Sequence, residues 1–120
     1  MKKIQLRKLS SPINTLELNV CDTFISRFRG LMLAKALPPD GGIMIVEKRE
    51  SKVNTSIHMM FMRYDITVLW LDKDRVVVDK VLAKKWAPFY APEQPAQYIL
   101  EIHRDRFDDF EIGDQLEVES

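Results

Sequence analysis

T-S-I-H-M-M-F-M-R-Y-D-I-T-V-L-W-L-D-K-D, Thr55–Asp74, holds two apolar runs, Ile57–Met62 and Ile66–Leu71, joined by the polar link Arg63-Tyr64-Asp65. Each run is too short for an ordinary helix and too evenly apolar for a strand with one wet face. Runs of this kind suit strands buried on both faces. Both are therefore read as the centre of a β-rich core, with Ile57, Met59, Phe61, Val68, Trp70 and Leu100 buried.

Upstream, Ile4 and Leu6 alternate with Lys3, Gln5 and Arg7 as a short edge strand, and Ile13–Cys21 alternates Leu16, Leu18 and Val20 against Glu17 and Asn19. Asp22-Thr23 is an N-cap pair ahead of F-I-S-R-F-R-G-L-M-L. Phe24, Phe28, Leu31 and Met32 fall at helical spacing there, so Thr23–Leu33 is the expected main helix. Gly30 costs about 1 kcal/mol against alanine inside a helix, which marks a helix end or a close packing contact. Pro38-Pro39-Asp40-Gly41-Gly42 is a turn, Ile43–Val46 a short strand, and Glu47–Asn54 a polar loop or strand extension. Downstream, Asp72-Lys73-Asp74-Arg75 is a hairpin turn and Val76–Leu82 a valine-rich strand. Ala83–Gln97 is irregular, with Pro88, Pro92 and Pro95 beside Trp86, Phe89 and Tyr90. Tyr98–Ile102 is a strand, Arg104–Phe110 one or two helical turns capped by Asp105, and Gln115–Val118 a last strand. The expected fold is mostly β (α+β): a small barrel or two packed sheets of short strands with one main helix, in a single domain spanning 1–120.

The chain has 120 residues, 46% of them hydrophobic, enough for one core. Its 18 basic side chains balance 18 acidic ones, so no long-range field recruits nucleic acid or an anionic surface. One cysteine, Cys21, excludes an internal disulfide and any multi-cysteine metal site. No apolar segment approaches the roughly 18 residues of a membrane span. The chain as given reads as soluble and cytoplasmic; a chain trimmed of a leader would read the same.

Three places carry possible chemistry. His58 interrupts an apolar run: the plain reading is a core histidine satisfied by a carbonyl or carboxylate, the sharper one a ligand-facing or acid–base imidazole. His58, Met60 and Met62 share one alternating face, opposite Ile57, Met59 and Phe61. Glu101 interrupts Y-I-L-E-I: the plain reading is an outward charge on a half-exposed strand, and facing inward it must be paired or protonated. The aromatic loop W-A-P-F-Y, with Trp86 and Tyr90, is either a lid over a pocket or a plug over the core. No Ser-His-Asp order, phosphate-binding glycine loop or metal-ligand spacing occurs, so neither metal nor cofactor is expected.

Seven segments in order, R-F-R-G-L-M (27–32), G-G-I-M-I-V (41–46), S-I-H-M-M-F-M (56–62), I-T-V-L-W-L-D-K-D (66–74), L-A-K-K-W (82–86), A-Q-Y-I-L-E-I (96–102) and I-G-D-Q-L (112–116), resemble the domain-of-unknown-function family number 192. The resemblance covers about residues 16–118. It implies a compact, mostly β domain, often exported or membrane-tethered in its relatives, and leaves activity open. Ser26 stands where the family has an acidic residue, and Thr67 where it often has aspartate. The helix motif makes Arg27 a candidate to reach a carboxylate or carbonyls with its planar fork of donors.

The leading expectation is a non-catalytic domain that binds a small molecule or protein partner through a cleft edged by the Trp86 loop, using His58, Trp86, Tyr90, Glu101 and Arg27. The alternatives are an enzyme with His58 and Glu101 as acid and base, and an interaction module with no pocket.

Overall fold

A computed structural model describes residues 2–23, 26–27, 30–31 and 35–119, with the side chains of 11–14 excepted. Strands β1 (Lys3–Lys8), β2 (Ser11–Cys21), β3 (Gly41–Ser51), β4 (Ile66–Leu71), β5 (Val77–Ala83), β6 (Ala96–His103) and β7 (Leu116–Glu119) form one sheet in the order β5-β4-β6-β3-β2-β1-β7. β2 and β3 pair in parallel; the other neighbours are antiparallel. The fold is mostly β, a sheet curled into a half-barrel.

The curl brings the two edge strands together at one end. Val77 N–H donates to the Asp114 carbonyl at 2.9 Å, Gly113 N–H to that of Val77 at 2.8 Å, and Leu116 N–H to that of Arg75 at 3.0 Å. Val77 and Leu116 close one core cluster with Leu6, Leu18, Leu69 and Ile102. The turn leading into β5 is set by Asp72, whose carboxylate accepts the amides of Asp74 at 2.9 Å and Val76 at 3.0 Å.

β4 is buried at every position. Leu69 and Leu71 enter the inner cluster, while Ile66, Val68 and Trp70 enter a second cluster on the outer face with Ile45, Met59 and Ile99. Thr67, buried in the same strand, donates its hydroxyl to the Arg104 carbonyl at 3.1 Å and ties down the 3-10 helix Arg104–Asp109. That helix is capped by His103 rather than Asp105: His103 Nδ1 accepts the Asp105 amide at 3.1 Å.

Two expectations are corrected. The run 57–62 is not a strand of the sheet. It is an irregular segment laid over the outer face, held by backbone bonds to the loop 84–90. Ile57, Met59 and Met62 are buried, but Phe61 is 48% exposed with φ 63°, so it is no core residue. The single main helix is not supported either. Of the span Thr23–Leu33, Ser26 and Arg27 are helical, and Phe24, Phe28, Met32 and Leu33 lie outside the described residues.

Candidate functional site

The site begins with strand register. β3 and β6 pair Ile43 with Glu101 and Ile45 with Ile99, so these four side chains share the outer face. Glu47 follows Ile45 by two residues on that face. Over this floor run the segment 54–62 on one side and Arg27, Gly30 and Leu31 on the other. Between floor and cover lies a cavity of about 310 Å³ that opens to solvent, lined among others by Arg27, Glu47, His58, Met60, Ile99 and Glu101.

Glu101 is 7% exposed. Burial pushes its carboxyl up to about 7, and the Leu31 amide, which donates to it, works in the other direction. Among the described residues it has no ion-pair partner. Two glycines make room for it. Gly42 lets β3 approach β6, since an added Cβ would collide with the Glu101 carbonyl oxygen. Gly30, at φ 50°, leaves its own Cβ position 3.4 Å from Glu101 Oε1. The carboxyl also reaches its surroundings: burial first and Glu101 second raise the Cys21 thiol to about 11 and raise the Tyr64 phenol.

Arg27 reaches the cavity from the other side. Its Nε lies 3.3 Å from Glu47 Oε2, and an Nη donates to the Asp22 carbonyl at 2.7 Å. It therefore neutralises Glu47 rather than Glu101. His58 Nδ1 accepts the Met60 amide at 3.2 Å, which puts the proton of a neutral ring on Nε2. His58, Met60 and Met62, grouped by alternation in the sequence, line the cavity together.

Trp86 and Tyr90 lie outside that lining and hold the wall from behind. Ile57 and Tyr90 exchange amide–carbonyl bonds at 2.8 and 2.9 Å, while Met59 N–H donates to Ala87 O and Trp86 N–H to Met59 O, both at 2.8 Å. Trp86, at φ 66°, is 52% exposed and meets Phe61 at 5.1 Å between ring centroids. It is not a plug over the core. The far end of the wall is pinned where Trp70 Nε1 donates to the Thr55 carbonyl at 2.7 Å.

Glu47, Gly30 and Gly42 escaped the sequence reading as site residues. For Glu47 the signal was present: it continues the alternation of Ile43 and Ile45. Among the described residues no group of three His, Cys, Asp or Glu could hold a metal, and no helix is long and apolar enough to cross a membrane.

A family model, described as uncharacterized ACR, matches residues 5–118. The chain belongs to the DUF192 family. Relatives in that family include a UPF0127 protein of Thermococcus kodakarensis, 48% identical over 71% of this chain and 52% of the relative. A UPF0127 protein of Pyrococcus furiosus is 39% identical over 85% of this chain and 86% of its own length. The chain thus spans about half the length of the Thermococcus kodakarensis relative. The fold matches that of a Sinorhizobium meliloti protein described as a candidate transcription regulator (TM-score 0.84, 18% identity, 97% of this chain and 92% of that one). It also matches a protein of unknown function from Novosphingobium aromaticivorans (TM-score 0.77, 16% identity, 96% and 83%). At those identities the likeness speaks to fold alone. All but Glu47 and Asn54 of the cavity-lining residues fall in the segments by which the chain resembles DUF192.

Proposed function

We propose that this domain binds a small molecule in the cavity over β3 and β6, with Glu101 as its polar anchor. The observation that carries the reading is a buried carboxyl, with no cation paired to it among the described residues, at the floor of a solvent-open cavity of mixed apolar and polar lining. Cavities of this kind, apolar with a few convergent polar groups, are the usual form of a ligand site. Structural economy would remove such a carboxyl, since burying it without a partner is unfavourable. The convergence of the family segments on the same cavity supports the reading. In it, Arg27 and His58 are wall residues, and the Trp86 loop contributes as a brace behind 57–60. Trp86 and Tyr90 are positioning residues in this reading.

A thermal-shift screen against amine, sugar, nucleoside and short-peptide libraries tests it. A ligand at 100 times its Kd stabilises the fold by about 2.7 kcal/mol, several degrees in Tm. The reading requires hits that shift wild type and fail to shift Met60→Trp, which fills the cavity mouth. Hits indifferent to Met60→Trp would move the site elsewhere.

A second reading is proton-transfer catalysis by Glu101 and His58. It is favoured by a carboxyl pushed up to about 7, which both gives and takes protons near neutrality, on the same cavity as an imidazole. Turnover of a bound ligand, abolished by His58→Gln with binding intact, separates catalysis from binding.

A further inference from the structure

Four features of the cavity bear on what class of molecule it takes. Among the described residues its charged side chains are Glu101, Arg27 and Glu47, with the His58 imidazole on the wall. Arg27 and Glu47 lie 3.3 Å apart and cancel, and the second guanidinium contact goes to the Asp22 carbonyl, so among the described residues no cation is paired with Glu101. Among the described residues the donor to Glu101 is the Leu31 amide, and a carboxylate offers about four acceptor positions. Gly30, whose Cβ position is 3.4 Å from the carboxyl, and Cys21 and Tyr64, which feel its charge, bring no positive charge. Between Glu101 and Glu47 the floor is apolar: Ile99 and Ile45 occupy it, with Ile57, Met60 and Met62 on the wall. Glu101 sits opposite Ile43, four residues before Glu47, so the two backbone positions are offset by about 13 Å along the strands.

We propose that the ligand carries a protonated amine on a short apolar body, the ammonium against Glu101 and the body over Ile45, Ile99 and Met62. This rests on the reading of the cavity as a small-molecule site and names the class it takes. An ammonium supplies donors and the compensating charge together, which a buried carboxylate needs. A carboxylate ligand would meet two acids with one guanidinium already engaged. A polyol would leave its hydroxyls against isoleucine and methionine. The volume, about 310 Å³, is at the small end for ligand sites, which limits the body to a short alkyl chain or one ring.

Binding is then linked to pH. The ammonium needs Glu101 ionised, and the free carboxyl titrates at about 7, so at pH 6 the site must first lose a proton. Affinity should weaken roughly tenfold between pH 8 and pH 6.

The test is calorimetric titration of the full chain with n-butylamine and 2-phenylethylamine, beside n-butanol, 2-phenylethanol and 3-phenylpropanoate, at both pH values. The amines should bind, bind about tenfold more weakly at pH 6, and lose both binding and pH dependence in Glu101→Gln. A denaturation curve of that variant confirms that it is folded, and Met60→Trp should abolish binding without touching the acid. Alcohols or the carboxylate binding as well as the amines, or amine affinity indifferent to pH or to Glu101→Gln, would overturn the amine class and leave the cavity reading standing. If no compound of either kind binds, the amine inference fails, and the library screen above then decides whether the cavity binds anything.

Discussion

Gly30 and Glu101 meet through the backbone of one and the carboxyl of the other. Gly30 adopts φ 50°, its Cβ position lies 3.4 Å from Glu101 Oε1, and the next amide, that of Leu31, donates to the same carboxyl. The glycine of the 27–32 segment thus delivers the one backbone donor that Glu101 has in the described structure. Alanine there is strained by about 1–2 kcal/mol for the left-handed backbone and crowds the carboxyl. Gly30→Ala should lose about that much stability in urea unfolding. An unchanged midpoint would refute the geometry.

Gly42 makes a more severe case. Its Cβ would run into the Glu101 carbonyl oxygen, which is backbone and cannot swing away, at φ 155°. Gly42→Ala should destabilise more than Gly30→Ala, by roughly 3 kcal/mol or more from combined strain and overpacking. If Gly42→Ala proves the milder of the two when both are unfolded in parallel, the close approach of β3 to β6 is wrong.

The two tryptophans should behave oppositely. Trp70 is 1% exposed and bonded to Thr55, so Trp70→Ala should lose about 3–5 kcal/mol. Trp86 is half exposed and its ring meets that of Phe61 at a tilt of 58°, a pair worth about 0.5–1.5 kcal/mol. A double-mutant cycle on Phe61→Ala and Trp86→Ala should return a coupling in that range. Loss of the whole fold on Trp86→Ala would restore the plug over the core.

Arg27 holds Glu47 and the Asp22 carbonyl at once. Arg27→Ala strands a largely buried carboxylate and should lose about 1–3 kcal/mol, with Arg27→Lys recovering only part, because an ammonium lacks the planar fork. Equal stability of the arginine and lysine forms in thermal melts would show that the fork is not used.

Much of this was legible in the chain. Six successive buried-type residues marked β4 as a two-faced strand, and the alternation in 16–20 marked β2. The run 57–62 misled because apolar periodicity reports burial on one side without saying whether a sheet or a loop supplies the backbone partners. Its partners lie in 84–90, and nothing local in the sequence specifies that pairing. Glu101 was recognisable as an intruder, but whether it faced in or out depended on the cover provided by Arg27, Gly30, Leu31 and the segment 54–62. Glu47 read as polar loop or strand extension, and the extension holds: β3 runs to Ser51, beyond its apolar part. The left-handed backbones of Phe61 and Trp86 could not be foreseen, since bulky residues rarely adopt them.

The central claim is that Glu101 is a desolvated carboxyl with no cation paired to it among the described residues, and its titration is also a stability statement. Its folded value, about 7, lies above the ordinary 4.5. The folded state therefore holds the proton more tightly, and the contribution is full below about pH 4.5, falls as pH rises toward 7, and is then gone. Across that window stability should drop by on the order of 3 kcal/mol in wild type and stay flatter in Glu101→Gln. The most direct measurement is the carbon-13 titration of the Glu101 side-chain carboxyl in the ligand-free protein. The account predicts a midpoint near 7 that falls when an amine binds; a midpoint in the ordinary glutamate range, about 4.3, would contradict it.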